Sequence, residues 1–185
     1  MRIAVYPGSF DPLHIGHLAI LRYLAQCGCF DATYLIVSPQ NPLKDKSKAN
    51  NAQQRFESAQ MAVLRHPQVG ARVDDIEMHM PSPHYTINTL DALSERESDN
   101  SFTLVMGSDN LASIRMWRDY QRILLKYGVV VYPRDGWEPQ ELRQDLLQEN
   151  PSYKLSIIDA PKVNISSTQI RLAISRGEDV SNLLM

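Results

Sequence analysis

Short apolar runs alternating with helix-period stretches constrain this chain more than any other feature. Residues 3–6, 34–37, 102–106 and 129–132 carry almost no polar interruption, and each run stops at proline, serine or glycine. A strand that is apolar on both faces needs cover on both faces, which a parallel sheet between two helix layers supplies. Weaker strand patterns fall at 73–78 and 155–158. Helical spacing is expected from Ile15 to Gln26, from a cap at Asn51 to about His66, over 88–97, 119–126 and 139–149, and from Ser167 to Arg176, where Gly177 closes the turn. Residues 44–50 and 80–83 read as loops. The expected fold is a single α/β domain over residues 1–185, a doubly wound (Rossmann-like) parallel sheet with right-handed crossovers.

Ligands of such sheets lie beyond the carboxyl ends of the strands, so the segment after each strand is where chemistry is sought. Those segments are GSFDPLHIGH (8–17), SPQNPLK (38–44), GSDN (107–110), PRDG (133–136) and NISSTQIR (164–171). Loops are polar in general, but these share glycine, hydroxyl, imidazole and cationic groups suited to phosphate. Gly8 permits a tight turn or the close approach of a ligand. His14 and His17 stand three apart across a helix start, where free N–H groups and a partial positive charge favour anions. Two imidazole N–H donors there suit charge building on a phosphoryl group. The plainer alternative is one capping and one packed histidine.

Composition narrows the partners. The 185 residues hold 19 Lys and Arg against 21 Asp and Glu, a net charge of −2. That lacks the basic surplus of a nucleic-acid or anionic-membrane binder. No apolar run approaches the ~20 residues that span a bilayer, and MRIAVYPGSFDPLH lacks the pattern of a signal peptide. Cys27 and Cys29 are too close to staple distant parts and lack the second ligand pair of a structural zinc site. They read as reduced thiols of a cytoplasmic protein. No Gly-x-Gly-x-x-Gly follows the first strand and no Gly-x-x-x-x-Gly-Lys-Ser/Thr occurs, which argues against a redox dinucleotide domain and a P-loop ATPase. A homo-oligomer is compatible with the residues.

His14-Ile15-Gly16-His17, within Gly-x-Phe-x-Pro-x-His-x-Gly-His, resembles the HIGH signature of the nucleotidyltransferase superfamily. Ile165-Ser166-Ser167-Thr168-Gln169-Ile170-Arg171 is similar to that superfamily's second motif, ISSTxIR. Within the superfamily the chain most resembles the bacterial nicotinate-nucleotide adenylyltransferases over nearly its whole length, through Tyr85-Thr86-x-x-Thr89-Leu90, Gly107-x-Asp109 and Trp117. Pro7 and His84 depart from the family pattern.

The resemblance implies a reaction between Mg²⁺-ATP and nicotinate mononucleotide that gives deamido-NAD and pyrophosphate. It implies His14, His17 and Arg171 as catalytic residues. ATP would be held by Gly8, Ser9, Phe10, Lys44, Gly107, Asp109, Arg134, Ser166, Ser167 and Thr168. The mononucleotide would meet Tyr85, Thr86 and Trp117, whose ring offers a stacking surface. No protein metal cage is expected, because Mg²⁺ would be held by phosphate and water. Open alternatives are a sister enzyme acting on nicotinamide mononucleotide or phosphopantetheine, and a non-catalytic pyridine-nucleotide-binding module.

Overall fold

The computed structural model describes residues 1–39 and 51–185. Its strands are β1 (Arg2–Gly8), β2 (Ala32–Val37), β3 (Ala71–Asp74), β4 (Ser101–Gly107), β5 (Val129–Tyr132) and β6 (Leu155–Ile157). All neighbouring pairs are parallel, in the order β3-β2-β1-β4-β5-β6. The helices are α1 (Ile15–Gln26), α2 (Ala52–Leu64), α3 (Thr86–Arg96), α4 (Ser108–Ala112), α5 (Tyr120–Arg122), α6 (Pro139–Glu149) and α7 (Ser167–Ser175). This is the expected doubly wound sheet.

The apolar runs are apolar because they serve two cores. Val5, Tyr34, Ile36, Leu104 and Met106 pack on one face with Leu90 and Leu93 of α3. Their sequence neighbours Ala4, Tyr6, Leu35, Val37 and Val105 pack on the other with Leu21 and Leu24 of α1 and Ala59 of α2. Successive side chains point to opposite sides of a strand, so both positions must be apolar.

The strand order reverses direction between β1 and β4, which places the crevice of the sheet there. Pairing between these two strands stops at Val5↔Leu104, short of their ends at Gly8 and Gly107. The unpaired ends leave room for a cavity.

Three elements differ from the sequence expectation. The third strand is residues 71–74, not 73–78. Asp74 is buried, accepts the Ile76 N–H at 3.1 Å and pairs with Arg96 at 2.6 Å, and a 3₁₀ turn over Ile76–His79 follows. Helix α3 starts at Thr86, ahead of the expected Asn88. The stretch expected as one helix over 119–126 is a short α turn, then a π turn over Ile123–Tyr127. That wider turn carries Ile123, Leu124 and Tyr127 into the core together. Helix α6 matches its expected bounds, and Gly177 takes the left-handed conformation (φ 76°) just after α7. Lys44 and the loop at 44–50 lie outside the described residues.

Candidate active site

Two helix starts from opposite ends of the chain meet at the crevice. Ser167 Oγ, at the first turn of α7, donates to Pro12 O at 3.0 Å. Arg171 Nη1 donates to Asp11 O at 2.6 Å, with the Asp11 carboxylate 3.6 Å away. The chain end adds a third tie, where His14 forms an isolated bridge with Leu184. The loop after β1 is therefore held by the last helix.

Helix α1 is capped by its own histidines. His14 Nδ1 accepts the Gly16 N–H at 3.1 Å, and His17 Nδ1 accepts the His14 N–H at 3.2 Å. An imidazole that accepts at Nδ1 carries its proton on Nε2 when neutral. Both rings therefore present an Nε2–H donor on the side away from the backbone they cap. The rings lie 3.8 Å apart. Burial, with the Arg134 charge, pushes the His14 pKa down to about 4. Burial first, then His14 and Arg134, holds that of His17 well below its ordinary value. Both are neutral donors at neutral pH. Sequence offered one capping and one packed histidine as the plainer reading; both cap.

The crevice has two sides, divided by Tyr6 and Tyr132, whose hydroxyls lie 3.2 Å apart. On one side, His14 and His17 share a small recess with Arg134 and Lys162. This recess runs into a broader one of about 610 Å³, lined by Asp109, Arg134, Asn164, Ser166 and Gln169. Arg134 Nε and Asp109 Oδ1 are 3.7 Å apart, too far for a hydrogen bond, and both atoms are buried without a partner among the described residues. Buried polar atoms are nearly always satisfied, so this unpartnered pair stands out on the wall of the recess. Asp109 does not cap α4; the N-cap is Gly107. A Cβ at Gly107 would meet Asp109 Oδ1 and sit 3.1 Å from Arg134 Cγ, so a side chain there would push the Asp109 carboxylate aside.

On the other side lies a cavity of about 150 Å³ between the splayed ends of β1 and β4. Gly8, Ser9, Met106, Tyr85, Thr86 and Trp117 line it. Trp117 is half-buried and packs against the core, so it is both core and cavity wall. Its Nε1 has no acceptor among the described residues. Tyr85 and Thr86 stand at the start of α3, and the Arg118 guanidinium lies 5.2 Å from the Tyr85 ring centre. Arg115, two residues before Trp117, is bound to Glu149 at 3.0 Å.

Of the expected residues, Gly8, Ser9, Tyr85, Thr86 and Trp117 share the cavity between β1 and β4, while His14, His17, Arg134, Asp109 and Ser166 line the recesses on the histidine side. Ser167 and Arg171 are engaged on the β1 loop, and Thr168 Oγ1 accepts from Arg171 Nη2 at 3.1 Å. The Phe10 ring is buried under the site, 5.3 Å from His17 edge to face, so only its backbone is available. Tyr6, Tyr132, Ser108 and Lys162 were not singled out by sequence. Tyr132 closes an otherwise aliphatic run, which is the signal that could have found it. Ser108 is fully buried and accepts the Arg134 N–H at 2.8 Å, tying the ends of β4 and β5. Among the described residues, no cluster of three or more His, Cys, Asp or Glu side chains could hold a metal.

A model of cytidylyltransferase-like proteins matches residues 5–173. The chain belongs to the cytidylyltransferase-like family. It is 39% identical over its whole length to a Flavobacterium johnsoniae protein named "probable nicotinate-nucleotide adenylyltransferase", of which it covers 92%. A Porphyromonas gingivalis protein of the same name is 38% identical over 97% of this chain and 87% of its own length. In fold, the chain is similar to Plasmodium falciparum nicotinic acid mononucleotide adenylyltransferase in complex with APC, with a TM-score of 0.75 at 19% identity over 99% of this chain and 90% of that one. Among the described residues, no helix is long and apolar enough to cross a membrane.

Proposed function

We infer that this chain transfers the adenylyl group of ATP to nicotinate mononucleotide, releasing pyrophosphate and forming deamido-NAD, a step of NAD biosynthesis. The phosphate of the mononucleotide attacks the α-phosphorus of ATP. That phosphate is already ionised at neutral pH, so the reaction needs neither a protein nucleophile nor a strong base. It needs two mutually repelling anions aligned and the charge on the leaving pyrophosphate stabilised. The donors collected at the crevice are of that kind.

The observation that carries the reading is the capping of α1 by both His14 and His17 through Nδ1, which leaves two Nε2–H donors beside Arg134 at a helix start. His17 meets the α-phosphate and His14 its neighbour. Ser166, Ser167, Thr168 and Arg171 hold the β- and γ-phosphates, with Arg171 exchanging the Asp11 carbonyl for phosphate oxygens in a bidentate grip. Gly8, Ser9 and Phe10 offer backbone to the phosphates, and Lys44 adds a positive charge. Asp109 and Gly107 meet the ribose, and Arg134 the nucleotide phosphates or adenine. The pyridine ring stacks on Trp117, and its carboxylate meets Tyr85 and Thr86 at the start of α3. Mg²⁺ arrives with ATP as part of the substrate, held by phosphate and water. The residues of 1–185 work as one domain of a cytoplasmic enzyme with small-molecule partners, no nucleic acid and no membrane, and with a homo-oligomer left open.

Pyrophosphate release with Mg²⁺-ATP, measured separately against nicotinate mononucleotide, nicotinamide mononucleotide and phosphopantetheine, tests the reading. Turnover is expected to be fastest with nicotinate mononucleotide and absent with phosphopantetheine. Binding of nicotinate mononucleotide without pyrophosphate release would instead make the chain a binding module.

A further inference from the structure

Arg55, on α2, was assigned no role above, yet it is only 6% exposed. It sits on the buried stripe of that helix with Ala59, Ala62 and Val63. A buried guanidinium must have its donors satisfied. Arg55 does this almost entirely with backbone carbonyls at the carboxyl ends of two strands. Its Nη1 donates to Ser9 O at 2.6 Å and to Ser38 O at 3.0 Å. Its Nη2 donates to Pro39 O at 3.1 Å, and its Nε to Asn51 Oδ1 at 2.9 Å. No carboxylate among the described residues lies within ion-pair distance. Burial pulls its pKa below the ordinary arginine value, opposed by the nearby Asp11 charge.

The shortest of these bonds decides what Arg55 does to the site. A trans peptide is planar, and its N–H points opposite to its C=O. Fixing the Ser9 carbonyl on Arg55 aims the Phe10 N–H the other way. Phe10 holds a left-handed backbone (φ 46°), a conformation that a bulky side chain keeps only when its surroundings enforce it. Its N–H has no acceptor among the described residues. Phe10 is followed by the Asp11 and Pro12 carbonyls that carry Arg171 and Ser167, and then by the histidine caps of α1.

We propose that Arg55 is a positioning residue: by clamping the Ser9 carbonyl it orients the Phe10 N–H as a fixed donor to a phosphate of the bound nucleotide. It touches neither substrate and acts through the loop after β1. The proposal rests on the adenylyl-transfer reading for the identity of that phosphate.

Two variants and one measurement on the unaltered protein test it. Arg55→Lys keeps the charge but replaces a planar fork by a single point donor, and Arg55→Met removes both. In variants whose circular dichroism matches the wild type, kcat for pyrophosphate release is expected to fall about 10–100-fold, the scale of a misplaced catalytic geometry. The KM for nicotinate mononucleotide should stay within about threefold, and lysine should recover part of the loss seen with methionine. A purely structural role lowers the melting temperature and leaves kcat per folded molecule alone, so a folded Arg55→Met with kcat within threefold of wild type overturns the proposal. Should neither variant fold, ¹⁵N-labelled wild-type protein titrated with pyrophosphate decides. The Phe10 amide resonance is expected to shift; if other amides of residues 8–17 move and Phe10 does not, the proposal is overturned. Wild-type turnover in the same assay answers for adenylyl transfer separately, since its absence overturns that reading whatever Phe10 does.

Discussion

Helices α1 and α7 begin with the same device built from different chemistry. In each, the cap residue's side chain accepts a backbone N–H of the first turn, and the side chain three positions on accepts the cap residue's own N–H. In α7 these are Ser166 and Gln169, with Gln169 exposed at the rim. In α1 they are His14, buried, and His17, half-buried against Phe10 and Tyr6. A serine–glutamine box caps as well as a histidine pair, so capping alone does not call for imidazoles. The difference teaches that α1 spends bulky, titratable groups where small neutral ones would hold the helix. It gains two oriented N–H donors facing the crevice. The α7 start, being at the surface, can exchange its internal bonds for those of a ligand at little cost.

Swapping the device between the two helices gives the largest expected effect. His17→Gln places at α1 the residue type that α7 uses at the same position, keeping an oxygen to accept the His14 N–H. His17→Ala removes the acceptor as well. Both are expected to lower kcat about 10²–10³-fold, the usual loss when one donor to developing charge is removed. The glutamine variant should melt close to wild type and the alanine variant lower, since a lost capping bond costs about 1 kcal/mol. Pyrophosphate-release kinetics beside thermal melts would check this. A His17→Gln enzyme with kcat within threefold of wild type would reduce the α1 histidine to a cap and erase the contrast.

Acidification sharpens the comparison further, because only the α1 cap titrates. The folded His14 ring stays neutral down to a pKa of about 4, while in the unfolded chain it takes up a proton near its ordinary value of 6.5. His17 is displaced in the same direction by burial, His14 and Arg134. Between those pH values the unfolded chain binds more protons, so stability is full above about 6.5 and falls as pH drops toward 4. The Glu97 carboxyl, held down to about 2 by Tyr34, Arg72 and Asn100, loses its contribution at lower pH, on passing below its ordinary 4.5. Melting temperatures between pH 7 and 4.5 are therefore expected to decline, and His17→Gln should decline less steeply. Equal slopes for the two proteins would show that the histidine pair does not set the acid response.

Much of this was legible from the residues, and what was not has physical causes. Runs such as 34–37 announced buried parallel strands, because both faces of such a strand must be apolar. Pro139 and Gly177 marked helix ends through backbone requirements that act locally. The third strand was misplaced because Asp74 ends it through bonds to Ile76 and Arg96, the latter 22 positions away. The π turn at 123–127 reflects packing against the sheet rather than any local propensity. The site residues that could be named from sequence were those at strand ends and in the two helix-start motifs. Arg55 could not be named there, because its meaning lies in carbonyls that the fold brings to it from two loops. Its one visible signal was an arginine on the apolar stripe of a helix.

Ser166→Ala is the smallest expected effect and the most demanding on the comparison. The hydroxyl accepts the Gln169 N–H at 3.3 Å and lies on the broad recess beside Asp109 and Arg134. Its loss is expected to cost about 1 kcal/mol of stability, as for other N-cap serines, and to raise the KM for ATP a few-fold with kcat nearly unchanged. The reason is that Ser167, Thr168 and the α7 backbone N–H groups remain to meet a phosphate, whereas no second group at α1 duplicates His17. Steady-state kinetics at varied ATP would separate the two parameters. A loss of kcat as large as that of His17→Gln would mean that both helix starts bear equally on the transition state, and the asymmetry drawn from their burial would not hold.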